Sequence, residues 1–181
     1  MGIQKTGRPE EAEYAAFYKG YISQVIEDDA IAALEAELSE SLAFFRNIDE
    51  QHSKTAYGEG KWTIRQVLGH IVDTERVMSY RAMRFARNDQ TELPGFEQDD
   101  FIRGANFNEV PLGDLLREFE HLRRANILMF RNLTADAWKR HGKANGNDVS
   151  VRALGFIITG HEKHHRKIVK ERYALSSSAA K

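Results

Sequence analysis

Cysteine is absent from this 181-residue chain. Its absence excludes disulfide bonds, thiolate metal ligands and a cysteine nucleophile. Any bound metal would therefore depend on histidine and carboxylate side chains, and the chain has 7 histidines and 27 acidic residues to supply them.

The chain also lacks an excess of one charge and a long apolar run. Its 26 basic residues nearly balance the 27 acidic ones, so no strong field attracts nucleic acid or an anionic membrane. No apolar stretch approaches the roughly 20 residues that span a bilayer, and no apolar signal-peptide core is present at the N-terminus. These absences predict a cytoplasmic protein that binds neither nucleic acid nor membrane.

Proline occurs only three times, and the long segments between the prolines carry apolar residues at helical spacing. The pattern predicts a short helix near residues 10 to 26 and a first long helix in AIAALEAELSESLAFFRNI. The second long helix should start after the capping box of Thr63 and Gln66 and run to about Asn88. The third should follow Pro111, and Ser150 should cap the fourth. Four amphipathic helices predict an all-α four-helix bundle, with residues 93 to 111 as a loop over a site.

The stretch GHEKHH, residues 160 to 165, places three histidines in the predicted fourth helix. The apolar stripe of this helix passes through His161 and His165, one turn apart, whereas His164 lies about 100° around the axis from His165. Two imidazoles at this spacing can reach one metal ion, as in zinc-binding H-x-x-x-H patterns. Alternatively, both rings are interfacial or are bonded to backbone and carboxylate groups.

His70, at the flank of the second-helix stripe, is the best candidate for a third ligand. Alternatively it is a boundary histidine bonded to Asp73 one turn later. Asp73 could equally accept the second ring proton of a metal-bound His70. The remaining histidines are expected to be solvated, namely His52, His121 and His141.

A second metal pattern competes with this one, because Glu-x-x-His occurs at Glu118 to His121 and at Glu162 to His165. With one glutamate from each of two other helices, this spacing describes a di-iron site. Glu75 lies in the second-helix stripe and could supply one of them. However, Glu118 and His121 flank the third-helix stripe on opposite sides, Glu162 is displaced about 100° from His161, and the first long helix offers no obvious inward glutamate. A di-iron oxidase is the less favoured alternative.

Several side chains near the predicted loop could contact a substrate. An anionic substrate could meet Arg81, Arg84 or Arg103, although solvated charges are the favoured interpretation because most arginines are exposed. The loop also carries three phenylalanines that either line a pocket or pack the loop onto the core, namely Phe96, Phe101 and Phe107.

Together, GKWTIRQVLGHIVDTER, LPGFEQDDF, a third helix rich in Leu and Arg, and ITGHEKHHRKIVKERY resemble the DinB-like superfamily of bacterial metal-binding bundles, especially its YfiT-like branch. The resemblance covers about residues 28 to 174. Residues 1 to 27 then form an N-terminal extension that contains the short helix, and residues 175 to 181, which are small and polar, are expected to be a disordered tail. The resemblance implies a bundle of the up-up-down-down type with one divalent metal ion on His70, His161 and His165.

The resemblance also implies a function. Some members of the superfamily are transferases and isomerases that use low-molecular-weight thiols, and others are described as hydrolases. A similar chain would be a metal-dependent transferase or hydrolase that activates a thiol or water for attack on a small-molecule substrate. Nickel, zinc, manganese or iron would fit, since imidazole selects weakly among them. A homodimer is also favoured. The competing class is a non-catalytic metal-binding or stress-associated bundle.

Overall fold

The computed structural model describes residues 6–173. In chain order this region contains α1 Lys19–Ile22, α2 Ala30–Arg46, α3 Ile64–Ala86, α4 Gln98–Gly104, α5 Leu112–Arg131, α6 Ala135–Lys139, β1 His141–Ala144, β2 Asn147–Ser150 and α7 Val151–Arg172. The four long helices, α2, α3, α5 and α7, form the predicted four-helix bundle. None of the helices in residues 6–173 has the length and apolar character needed to cross a bilayer.

Side-chain caps start α3 and α7 where the sequence predicts them. The Thr63 hydroxyl accepts a hydrogen bond from the Gln66 amide, and the Gln66 side chain accepts one from the Thr63 amide in return. The Ser150 hydroxyl accepts from the Ala153 amide at 2.9 Å. These bonds satisfy amides that would otherwise have no partner in the first turn, and they fix the rotational phase of each helix.

The bundle is a square in which α2 is not a neighbour of α3 and α5 is not a neighbour of α7. The helices α2 and α3 lie on one diagonal, and each packs chiefly against α5 and α7. Glu50, just after α2, contacts Arg65 at the start of α3 and the Leu112 amide at the start of α5. At the same end, the hydroxyl of Tyr173, after α7, donates to the carbonyl of Trp62, before α3. The helices α2 and α7 therefore run one way, and α3 and α5 run the other way. In chain order the directions read up, down, down, up, whereas around the square from α7 through α2, α5 and α3 they read up, up, down, down, the type that the resemblance implies.

Buried apolar stripes hold the four helices together. On α2 the predicted residues are all buried, namely Leu34, Leu38, Leu42 and Phe45. The stripes on α3 and α7 are buried in the same way over most of their length. Burial of each such side chain stabilises the fold by about 1.5–3 kcal/mol. The four stripes therefore supply the main stabilisation of the bundle.

The N-terminal segment is less helical than predicted. Residues 10 to 26 contain two short 3-10 turns, Glu11–Glu13 and Ala16–Tyr18, before the single turn of α1. The reason is that the polar groups of this segment bind α7 instead of completing their own helix. The Glu13 carboxylate accepts a hydrogen bond from the Ser150 hydroxyl at 2.6 Å and pairs with Arg152. The Tyr21 carbonyl then lies against Gly160, at a position that a Cβ atom would occupy.

Two connections contain structure that the sequence did not predict. The segment from Leu93 to Pro111 includes α4 and a 3-10 turn, Phe107–Glu109, and it packs on α3 because Gly69 leaves room for the Phe107 ring. The strands β1 and β2 form an antiparallel hairpin in the region expected only to break the helical pattern. Its turn is Asn145-Gly146, both with positive φ, which is the dipeptide that favours a two-residue hairpin loop. The predicted tail, 175 to 181, lies outside the described residues.

Candidate metal centre

The structure brings His70, His161 and His165 together between α3 and α7. One nitrogen from each imidazole lies within 4.8 Å of the other two. His70 is presented by the second turn of α3, while His161 and His165 follow one another along a single face of α7. Because α3 and α7 are antiparallel neighbours, the start of one meets the later half of the other. The structure thus brings together the three residues that the sequence offers as candidate ligands.

The three rings are in mutual contact. The Nε2 atoms of His70 and His161 are 2.9 Å apart. The ring centroids are separated by 4.8 Å for His70 and His161, 4.7 Å for His70 and His165, and 4.5 Å for the two rings on α7. The ring planes are steeply inclined to each other in all three pairs, so the rings meet edge-on. This arrangement turns nitrogen atoms toward one another instead of stacking the ring faces.

Burial keeps the three imidazoles uncharged at neutral pH. Burial lowers the pKa of His70 to about 4, against the opposing effect of the Asp99 carboxylate. Burial and the neighbouring histidines His70 and His164 lower the pKa of His165 to about 3. The pKa of His161 also falls well below its usual value, first because of burial and then because of the surrounding histidines. Neutral imidazole is the form that binds metal.

The hydrogen bonding of the cluster also fits a metal. Within residues 6–173, the partners within hydrogen-bonding distance of the three rings are one another, through His70 and His161, and the Thr74 hydroxyl, 3.5 Å from Nδ1 of His70. The ring nitrogens therefore have few partners within the protein, and three imidazoles are a suitable donor set for a divalent ion.

Aromatic side chains restrain the cluster on two sides. The Trp62 ring centroid lies 4.9 Å from that of His70 and 6.5 Å from that of His165, with nearly parallel planes in the second pair. On the other side, Tyr21 meets His161 edge-on at 5.4 Å and His164 at 5.3 Å. Tyr21 of the N-terminal extension and Trp62, two residues before α3, therefore limit how the histidines can rotate.

A cavity opens beside the cluster. Its volume is about 330 Å³, and His165 forms part of its wall. The rest of the wall is aromatic and charged, formed by Tyr57, Lys61, Trp62, Asp99, Tyr173 and the nearby residues Gly60, Val67 and Ile168. A small molecule in this space would lie next to His165, the member of the cluster that faces the cavity.

The predicted contact between His70 and Asp73 is not formed. His70 faces Thr74, four residues later, whereas Asp73 lies 3.5 Å from Arg76 as an ion pair on the flank of α3. The reason is the pitch of the helix, since a step of four residues stays nearer to one line along the axis than a step of three. His164, expected at the surface, is half-buried because the N-terminal extension packs Tyr21 over it.

The buried carboxylates are occupied by an arginine. Arg123 on α5 is fully buried and donates to both carboxylate oxygens of Glu75, at 2.8 and 2.9 Å, and to Glu162 at 2.5 Å. Asn126 donates a further hydrogen bond to Glu75 at 3.0 Å. Burial raises the pKa of Glu162 to about 6, although the charge of Arg123 acts in the opposite direction. These two carboxylates hold a guanidinium group, where a di-iron site would need them to hold metal.

The other parts of the di-iron alternative are also unsuited to it. Glu118 pairs with Arg76 at the surface, and His121 is exposed. However, the expectation that the first long helix has no inward glutamate was wrong. Glu37 on α2 is 2% exposed and pairs with Lys163 and Arg166 of α7. Both partners come from another helix, so spacing along α2 alone does not reveal that this glutamate is buried.

The arginines and phenylalanines near the connection have mainly structural contacts. Arg81, expected to be solvated, is only 4% exposed and donates to the Pro94 carbonyl at 2.7 Å. Its guanidinium also lies over the ring of Phe96, which packs against the core. Arg84 and Arg103 form local ion pairs, with Asp89 and Asp100 respectively. The Phe101 ring is exposed to solvent.

The sequence matches a known family. The family described as the DinB superfamily matches residues 33–169. Relatives include a protein of Oceanobacillus iheyensis, 29% identical over 134 residues, which cover 72% of this chain and 74% of that protein. Another is found in Geobacillus thermodenitrificans, 26% identical over 140 residues, with 75% and 77% covered. Both carry the name "Putative metal-dependent hydrolase".

The fold matches a solved structure. YfiT from Bacillus subtilis superimposes with a TM-score of 0.66, covering 91% of this chain and 90% of that one at 17% sequence identity. That protein is described as a probable metal-dependent hydrolase with an unusual four-helix bundle topology. The likeness establishes a common bundle fold.

Proposed function

The chain belongs to the DinB superfamily, and we propose that it is a metal-dependent enzyme acting on a small molecule. His70, His161 and His165 would hold one divalent ion. The observation that carries this proposal is the meeting of two buried imidazoles and a half-buried third, all uncharged at neutral pH, beside an open cavity. The names of the relatives from Oceanobacillus and Geobacillus support metal-dependent hydrolysis in particular.

Three protein ligands are the usual set of a catalytic metal, because they leave a position open for water or substrate. When bound there, a divalent ion supplies Lewis acidity and lowers the pKa of an attacking water or thiol. The protein itself holds the histidines neutral by burial and restricts their rotation through Trp62 and Tyr21. The aromatic wall of the cavity would exclude bulk water from the substrate.

Two reactions are compatible with this site. Hydrolysis requires only water, whereas transfer requires a thiol that enters from outside, because the chain contains no cysteine. The names of the relatives favour hydrolysis, and the family resemblance favours low-molecular-weight thiols as a second co-substrate. The metal is zinc, nickel, manganese or iron, since imidazole ligands bind all of them.

The proposal is tested with tag-free protein that is stripped by a chelator and reloaded with each of the four metals separately. Hydrolysis is measured with para-nitrophenyl acetate and leucine para-nitroanilide, and thiol transfer with N-acetylcysteine and chlorodinitrobenzene. We expect turnover that needs the metal and survives in His164→Ala, the matched control. In His165→Ala it should fall to the background rate.

Turnover that is unaffected by chelation, or that persists in His165→Ala, would contradict the proposal. Stoichiometric metal without turnover of any probe would replace it with the non-catalytic metal-binding bundle. Turnover separates the two classes, because only an enzyme needs an open coordination position on the ion for water or substrate.

A further inference from the structure

Asp99 is an acidic residue at the cavity beside the three histidines. It lies in the first turn of α4, in the long connection between α3 and α5, and it lines the same cavity as His165 and Trp62. The connection packs on α3, the helix that carries His70. Asp99 therefore brings a third helix to the wall of this cavity, beside Val67 of α3 and His165 of α7.

The Asp99 carboxylate is available for a ligand. Its neighbour Asp100 forms an ion pair with Arg103 in the same helix. Within residues 6–173, Asp99 itself forms neither a hydrogen bond nor an ion pair, and its side chain is exposed. The two residues thus carry the same charge on the same turn, but only one of them has a partner.

Charge balance gives this carboxylate a role. A divalent ion on three neutral imidazoles retains its full positive charge at a site where His70 and His161 are buried. An uncompensated charge in a buried position is unfavourable. The nearby buried carboxylates, Glu75 and Glu162, are already bound to Arg123. Asp99 remains as the carboxylate that can offset the charge of the ion.

We propose that Asp99 is the fourth protein group of the metal centre, a carboxylate that faces the ion from α4 across the cavity and strengthens metal binding. This inference rests on the proposed three-histidine site. Its geometric basis is that Asp99 lies in the wall of the cavity to which His165 also contributes. Lys61 lines the same cavity with the opposite charge, but its side chain is exposed and its ammonium group is hydrated.

The test measures metal affinity in full-length protein, by competition of zinc and cobalt(II) with a chromophoric chelator. Asp99→Asn should bind metal roughly 10- to 100-fold more weakly than the wild type, the usual effect of removing a group that supports metal ligands. Asp100→Asn is the matched control and should change affinity by less than about twofold, since a paired surface charge is well screened. Asp99→Glu keeps the carboxylate and should therefore retain most of the wild-type affinity. Lys61→Met should not weaken metal binding.

A second readout separates a role at the ion from a role in folding. The visible spectrum of bound cobalt(II) should change in Asp99→Asn and remain unchanged in Asp100→Asn, while the melting temperatures of the metal-free proteins should agree. Wild-type affinity with a wild-type cobalt spectrum in Asp99→Asn would overturn this inference and leave the three-histidine site intact. Equal weakening in both Asn variants would also overturn it. A wild type that binds no metal would overturn the three-histidine proposal and this inference with it.

Discussion

The Nε2 atom of His70 lies 2.9 Å from the Nε2 atom of His161, although 91 residues separate them in the chain. Two neutral imidazoles at this distance can share one proton, or both can direct lone pairs at a cation. The contact also joins α3 to α7, so it ties the geometry of the centre to the packing of the bundle.

The low pKa values of the histidines predict acid sensitivity in the metal-free protein. Unfolded histidines bind protons with a pKa near 6.5, whereas His70 and His165 do so only near pH 4 and 3 in the folded state. Between these values the unfolded state binds more protons, so the folded state loses stability as pH falls. We expect the free energy of unfolding to be constant above about pH 7 and to fall below it, by at most about 1.4 kcal/mol per pH unit for each histidine.

Urea denaturation between about pH 7 and pH 5 measures this slope. The double variant His70→Gln, His165→Gln should show a shallower dependence than the wild type, because two of the responsible groups have been removed. His121→Gln, which changes an exposed histidine on α5, should keep the wild-type slope. Identical slopes in the wild type and the double variant would contradict the assignment.

Arg123→Met should destabilise the bundle strongly. It leaves the Glu75 and Glu162 carboxylates buried without their cation, and removal of one partner from a buried ion pair costs about 3–5 kcal/mol. The neighbouring Arg124 pairs with Glu120 at the surface, so Arg124→Met should cost no more than about 1 kcal/mol. The free energy of unfolding in urea distinguishes the two. Adding Glu75→Gln and Glu162→Gln to Arg123→Met should recover part of the loss, and no recovery would argue against a charge effect.

Gly160→Ala should loosen the N-terminal extension. An alanine Cβ would collide with the Tyr21 carbonyl, and overpacking of this kind costs about 1–3 kcal/mol. Gly113→Ala, in the first turn of α5 with open space around it, should be neutral or slightly stabilising. Thermal unfolding compares the two variants, and hydrogen exchange of residues 16 to 24 should increase only in the first. Equal melting temperatures would mean that α1 can shift without cost.

Local signals in the sequence predicted most of the bundle. The cap residues Thr63 and Ser150 and the apolar spacing on α2 and α7 determine helix position and buried face, so these elements agree with the prediction. The N-terminal segment differs from the predicted helix because Glu13 and Tyr21 contact α7, which is far away in the sequence. Such contacts produce no periodic pattern of apolar residues. The hairpin has a local signal in the sequence, the turn dipeptide Asn145-Gly146. The prediction missed it because this region was interpreted only as a break between helices.

The candidate site was predictable in part. His161 and His165 share a helical face, which their spacing reveals directly. His70 lies at the flank of the predicted apolar stripe of its helix, so spacing indicated it only weakly, and the family resemblance implied it as the third ligand. By contrast, the roles of Arg123, Glu37 and Arg81 depend on partners from other helices, so no spacing rule could identify them. The same holds for Asp99, whose position depends on how a connection folds over α3.

Several expectations stay predictions. These are the homodimer, the cytoplasmic location, the absence of nucleic-acid binding, and the division into an extension at 1 to 27 and a domain at 28 to 174. Sedimentation velocity at micromolar concentration would test the first directly.

The most direct test of the central claim is the metal content of tag-free protein, measured per chain by mass spectrometry after loading and gel filtration. The wild type and His164→Ala should each retain about one divalent ion per chain, while His70→Ala, His161→Ala and His165→Ala should lose most of it, because two imidazoles hold such an ion weakly. A wild type that cannot be loaded with nickel, zinc, manganese or iron, or metal that survives all three substitutions, would contradict the three-histidine centre.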